Sequence, residues 1–208
     1  MSTILIVDDH PVIRIAVKAV LEKQGHKVIA ESDNGVDCIQ QSRELSPELI
    51  ILDIGIPMLD GLEVISRVKT FNSNIKIIVF TSQQATLFAP RCLKAGASGF
   101  VTKGGAMEEL VRGVRTVLDG YSFFPSSTMN SAYPERTTNS DQALIKSLSD
   151  RELVVLTHLA AGLSNKEISE ILLLSNKTIS TYKTRIMEKL NLSNLLEICD
   201  FARRNKIS

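Results

Sequence analysis

Cysteine is scarce: Cys38, Cys92 and Cys199 stand far apart in 208 residues, odd in number and outside any CxxC or Cys/His spacing. That excludes a disulfide framework or a zinc module and leaves reduced thiols packed as small hydrophobes. No stretch approaches the roughly 20 apolar residues a membrane helix requires. Met1-Ser2-Thr3 runs straight into an apolar segment followed by Asp8 and Asp9, which is not a secretory leader. The expectation is a cytoplasmic protein with no membrane partner. An excess of one charge is also missing. The formal net is +1, with 23% charged and 44% hydrophobic residues, an ordinary globular composition that excludes disordered and collagenous chains. At about 100–200 residues per domain, the length admits one large domain or two small ones.

The distribution of charge favours two. Residues 1–124 carry a net of −1, residues 125–147 a net of 0 and residues 148–208 a net of +2. The middle stretch, opening Pro125-Ser-Ser-Thr-Met-Asn-Ser-Ala-Tyr-Pro134, is rich in Ser, Thr, Asn and Pro and lacks apolar periodicity. It reads as a polar linker.

Before it, apolar runs at Thr3–Val7, Lys27–Ala30, Leu49–Leu52, Ile75–Phe80 and Gly99–Val101 alternate with helical patterns. Those patterns lie near Val12–Lys23, Gly35–Leu45, Leu62–Phe71, Leu87–Ala95 and Met107–Leu118. Parallel strands need crossovers, and right-handed crossovers cover both faces of a sheet with helices. The expectation is a doubly wound α/β domain with a five-stranded parallel sheet. After the linker the strand signals stop. Helical patterns run near Ser149–Ala161, Asn165–Leu173, Asn176–Leu190 and Leu195–Asn205, predicting an all-α unit of four helices over 148–208.

In open parallel sheets the carboxyl ends of the strands line the ligand crevice. The residues just past the runs are Asp8-Asp9, Asp53, Thr81-Ser82 and Thr102-Lys103. One aspartate at a strand end is an ordinary cap. Three converging carboxylates repel one another, and a hard divalent cation such as Mg²⁺ offsets that repulsion. The central Asp53 is then a competent nucleophile for a phosphoryl group, with Lys103 neutralising the transferred oxygens and Thr81 donating a hydrogen bond. His10, between Asp9 and Pro11, reads as a loop residue.

Asp-Asp, Asp-x-x-x-Pro, Thr and Lys, each following a strand in this order, resemble the receiver domain of two-component response regulators over residues 3–120. The resemblance implies that Asp53 is phosphorylated, that Asp8 and Asp9 hold Mg²⁺ and that the Gly55 backbone carbonyl completes the metal site. It also matches Phe100 to an aromatic that reorients as Thr81 moves. The sequence Ile56-Pro57-Met58-Leu59-Asp60-Gly61 looks like that family's loop after the acceptor.

In the basic half, two helical patterns separated by a short turn at Leu174-Ser175 fit a helix-turn-helix. A buried stripe of Ile179, Tyr182, Ile186 and Leu190 leaves Lys177, Ser180, Thr181, Thr184 and Glu188 on the opposite face. From pattern alone this face is either solvated or DNA-binding. Leu148-Ser-Asp-Arg-Glu152, Gly162-Leu-Ser-Asn-Lys-Glu-Ile168 and Ser175-Asn-Lys-Thr-Ile-Ser-Thr-Tyr182 resemble the LuxR-type helix-turn-helix of the NarL/FixJ class over 146–206. Tyr182 stands where much of that family has His. Gly120-Tyr-Ser-Phe-Phe-Pro-Ser-Ser127 with the segment ending at Lys183 is similar to the BvgA/EvgA subgroup. Lys177, Thr178, Ser180, Thr181, Lys183, Thr184 and Arg185 are the expected contacts in the major groove of double-stranded DNA.

The chain is thus expected to be a transcription regulator, not an enzyme beyond its own phosphorylation and dephosphorylation. A histidine kinase or phosphotransfer domain would load Asp53, and the protein would act as a homodimer on DNA. A metal-dependent phosphohydrolase would need a general acid two residues after the nucleophile, where this sequence has Gly55. A receiver that is never phosphorylated usually lacks a member of the acidic pair or the Lys, and all are present.

Overall fold

The structure, a computed structural model, describes residues 1–126, 128 and 140–207. It divides into two units, Met1–Tyr133 and Pro134–Ser208. Most of the linker expected at 125–147 lies outside the described residues. Its last eight residues, however, form a helix, Ser140–Ser147.

The first unit runs β1 Thr3–Val7, α1 Pro11–Lys23, β2 Lys27–Ser32, α2 Gly35–Leu45, β3 Leu49–Leu52, α3 Gly61–Phe71, β4 Lys76–Thr81, α4 Ala85–Ala95, β5 Gly99–Thr102 and α5 Met107–Leu118. All neighbouring strands are parallel, in the order β2-β1-β3-β4-β5. The order reverses between β1 and β3, so a crevice opens beyond the carboxyl ends of those two strands. Ile4, Ile6, Leu49, Ile51, Ile78, Phe80 and Val101 form one face of the core, with Val17 and Leu21 of α1 and Leu110, Val114 and Val117 of α5. The alternate residues Leu5, Val7, Ile50, Leu52, Ile77, Val79 and Phe100 are buried as well, which is why the strands read as unbroken apolar runs. Cys38 and Cys92 are buried free thiols and Cys199 is half-buried. Burial pushes the Cys38 thiol up to about 12, so it packs as a hydrophobe.

Gly61 opens α3 directly behind the β3 loop. A Cβ there would stand 2.5 Å from Ile54 Cα and 3.0 Å from the Asp53 carbonyl oxygen, so this close approach requires glycine. Beyond α5 the chain returns to the sheet edge. Phe123 N donates to the Ser98 carbonyl at 3.0 Å, and Phe100 N to the Phe123 carbonyl at 2.7 Å.

The second unit contains α6 Ser140–Ser147, α7 Asp150–Ala160, α8 Asn165–Ile171, α9 Asn176–Leu190 and α10 Leu195–Arg204. The last four are those expected; α6 is additional. Polar contacts join it to the unit: Asn205 Nδ2 donates to Asp141 Oδ2 at 3.0 Å, and Lys189 Nζ to the Ser147 carbonyl at 3.2 Å, while Leu144 and Ile145 are half-buried. Ser149 and Ser164 each form a capping box with the Glu three residues on, and Ser175 and Asn194 accept from the first turns of α9 and α10. Each such cap contributes about 1 kcal/mol. Leu153, Val154, Leu156, Ile168, Leu172, Ile179, Ile186, Leu190, Ile198 and Phe201 are buried. Lys189 Nζ reaches Glu152 Oε2 at 2.7 Å. Burial works to raise the Glu152 carboxyl, but the contacts with Lys189 and Ser149 outweigh it and hold it below the ordinary range. Among the described residues no helix is long and apolar enough to cross a membrane.

Candidate functional site

The reversal of strand order sets Asp8, one residue past β1, beside Asp53, one residue past β3. Their backbones are fixed by the sheet's continuation: Asp8 N donates to the Ser32 carbonyl at 3.0 Å and Asp53 N to the Val7 carbonyl at 2.8 Å. Lys103 follows β5, its N–H on the Thr81 carbonyl at 2.8 Å. From there its ammonium spans the crevice, 2.5 Å from Asp53 Oδ2 and 2.7 Å from Asp8 Oδ2. Gly55 N donates to Asp53 Oδ1 at 3.0 Å. Burial, joined by the charge of Asp53, lifts the Asp8 carboxyl above its ordinary value against the pull of Lys103 and the His10 N–H. Burial alone would lower Lys103, but the charges and contacts of Asp53 and Asp8 reverse this and raise it. The amine is therefore held as a cation.

Asp9 sits at the edge of the same pocket. Asp8, Asp9, His10 and Asp53 each place a donor atom within 4.8 Å of the others. Asp8 Oδ2 is fully buried and, apart from its ion pair with Lys103, receives no hydrogen bond. Three carboxylates against one ammonium leave negative charge uncompensated, and these hard oxygen donors fit a divalent cation. Thr81, 1% exposed, ends β4, and its hydroxyl accepts from Gln83 N at 3.3 Å. Phe100 lies in β5 opposite Val79 and is buried. His10, a loop residue by its sequence, places its Nδ1 2.7 Å from Asp9 Oδ1. The available signal was its place between two carboxylates and Pro11, which confines its backbone.

In the second unit, α9 presents Lys177, Ser180, Thr181, Thr184 and Arg185 to solvent, with Thr178 and Lys183 half-buried. Ile179, Ile186 and Leu190 are buried as expected. Tyr182 differs from the expected stripe: it is half-buried and lines a surface concavity of about 290 Å³ with Ser175, Lys177, Thr178, Thr181 and Arg185. A residue three positions after Ile179 falls 60° short of a full turn, at the flank of the buried stripe. The Thr181 and Thr184 hydroxyls donate to the carbonyls of Lys177 and Ser180 at 3.0 and 3.1 Å. That leaves their oxygen lone pairs and methyls for an incoming partner. Asn165 Nδ2 donates to Ser180 Oγ at 3.1 Å, joining α8 to α9.

A doubly wound sheet with this acidic crevice, followed by a capped helix-turn-helix, defines a regulator that couples a receiver to a DNA-binding unit. The response regulator receiver domain model matches residues 4–115, and the model of bacterial regulatory proteins of the luxR family matches residues 146–202. The chain belongs to the response regulators of the NarL/FixJ class and is a transcription regulator; the family is not one of enzymes. It is 48% identical over 207 residues to the virulence-factors transcription regulator BvgA of Bordetella pertussis, covering 100% of this chain and 99% of that one. It is 34% identical over 203 residues to the DNA-binding transcriptional activator EvgA of Escherichia coli, covering 98% of each. Among solved structures, RcsB of Salmonella enterica bound to the promoter rprA in the presence of the phosphomimetic BeF₃⁻ matches at TM-score 0.57 and 26% identity, over 97% of this chain and 98% of that one.

Proposed function

We propose that the chain is a phosphorylation-dependent DNA-binding regulator whose phosphoryl acceptor is Asp53. The observation that carries this reading is the Lys103 ammonium, fixed 2.5 Å from Asp53 Oδ2 and 2.7 Å from Asp8 Oδ2 at the switch point. An Asp53 carboxylate oxygen forms a bond to phosphorus as the bond from phosphorus to the donor breaks, the donor being a histidine of a sensor kinase or of a phosphotransfer domain. Lys103 offsets charge on the phosphoryl oxygens, and the Thr81 hydroxyl donates to one of them. Phe100 repacks as Thr81 moves. Asp8, Asp9, Asp53 and the Gly55 carbonyl would hold Mg²⁺, which supplies charge neutralisation when bound.

The labour divides between a receiver over 1–124 and a DNA-binding domain over 148–208. Lys177, Lys183 and Arg185 meet phosphates of double-stranded DNA, while Thr178, Ser180, Thr181 and Thr184 face base edges in the major groove. A phosphoryl group adds about −1.5 to −2 charges to the receiver and favours a homodimer. The second DNA contact then becomes intramolecular. Action on DNA and loading by a kinase support a cytoplasmic location as part of this reading. Incubation with acetyl phosphate and Mg²⁺ tests the acceptor. The intact protein should gain the mass of one phosphoryl group and Asp53→Asn should gain none; equal gain by the variant would move the acceptor elsewhere.

A further inference from the structure

His10 has no part in the proposed phosphoryl transfer or DNA contact, yet its position is tightly set. It precedes Pro11, a place confined to extended backbone, and holds φ −89° and ψ 109°. Its N–H donates to Asp8 Oδ1 at 3.0 Å, and its carbonyl accepts from Ile13 N at 3.1 Å and Arg14 N at 3.2 Å. As the N-cap of α1 it makes no side-chain cap bond. Its imidazole turns to the pocket instead, with Nδ1 2.7 Å from Asp9 Oδ1 and 3.4 Å from Asp8 Oδ1.

Those separations suit neighbouring ligands on one cation. Two donors at right angles on an ion with bonds of about 2.1 Å stand about 3.0 Å apart, and the two distances bracket that value. A second observation concerns Asp8 Oδ2, which is buried in the same pocket with the Lys103 ammonium, 2.7 Å away, as its one partner among the described residues, while three carboxylates share that single cation.

We propose that His10 is a nitrogen ligand of this pocket and biases it toward nitrogen-favouring divalent cations such as Ni²⁺ over Mg²⁺. The proposal rests on the pocket being a divalent-cation site, as in the proposed function. Carboxylates and waters suit Mg²⁺, whereas an imidazole adds affinity along the first-row series toward Ni²⁺ and little for Mg²⁺. A Ni²⁺ ion so held occupies the carboxylates Mg²⁺ would use, and the two compete.

Calorimetric titration of the untagged full-length chain with Ni²⁺ and, separately, Mg²⁺ tests this in wild type, His10→Leu, His10→Asn and Asp9→Asn. The His10 side chain is 67% exposed, so neither replacement disturbs the core. Both His10 variants should lose about tenfold or more in Ni²⁺ affinity while Mg²⁺ affinity stays within about threefold. Unchanged Ni²⁺ affinity, or a parallel fall for both ions, would overturn the proposal, the latter because His10 would then only steady Asp9. Asp9→Asn separates the two levels. If it weakens both ions while the His10 variants change neither, the pocket stands and only the His10 ligand fails. If it changes neither ion, the pocket is not the cation site and both readings fall.

Discussion

At the scale of single residues, the acidic pocket depends on one compact cation reaching two carboxylates. Lys103 carries its charge as a point, with Nζ 2.5 Å from Asp53 and 2.7 Å from Asp8 in a nearly dry crevice. A guanidinium keeps the charge but spreads it over a planar fork too wide for that gap. Lys103→Arg should therefore impair the response to phosphodonor more than charge conservation suggests. The measure is DNA affinity after acetyl phosphate treatment, where the variant should fall well short of wild type; full retention would show that the site does not need a compact cation at this position. The carboxylates and Lys103 were legible in the sequence because each follows a strand, and parallel topology brings strand ends to one edge. His10 was not. A histidine among loop residues carries no periodic signal, and only the placement of its Nδ1 beside Asp9 gives it a role.

At the scale of elements, two positions govern how the site is presented. Gly61 lets α3 lie against the backbone that carries Asp53, where a Cβ would stand 2.5 Å from Ile54 Cα. Gly61→Ala should destabilise the first unit by about 1–3 kcal/mol, read from a denaturant midpoint, because backbone must shift to admit the methyl. No change would mean that α3 can slide away freely. On α9, Thr181 offers a methyl and acceptor lone pairs, whereas Lys183 offers charge. Thr181→Ala should cost about 1–3 kcal/mol on the preferred DNA and relax the sequence preference. Lys183→Ala should weaken all DNA alike and lower the salt slope by about one unit. Binding titrations at several salt concentrations distinguish the two, and interchanged effects would mean that the helix enters the groove on another face. The sequence delimited β1, β3, α2 and α5 to the residue, the two strands as unbroken apolar runs that end at polar residues and the two helices as amphipathic patterns. It missed α6, whose eight residues Ser-Asp-Gln-Ala-Leu-Ile-Lys-Ser hold too few apolar positions to show a helical period. Polar contacts from Asn205 and Lys189 tie it down, and no local pattern encodes these. Tyr182 was misplaced for a related reason, since three-residue spacing alone does not distinguish a stripe's centre from its flank.

At the scale of the whole molecule, the change from alternating strands and helices to helices alone made the two units visible in sequence, and the family matches fall one in each. The proposed function makes chemistry at Asp53 in the first unit control DNA binding by α9 in the second. Its most direct test is the affinity of full-length protein for a DNA site selected from a random pool, measured before and after acetyl phosphate with Mg²⁺, in wild type and Asp53→Asn. Through dimerisation, phosphorylation should tighten wild-type binding by roughly 10²–10⁴ and leave Asp53→Asn unchanged. Equal tightening in the variant, or no tightening in wild type carrying a phosphoryl group, would show that Asp53 does not control DNA binding.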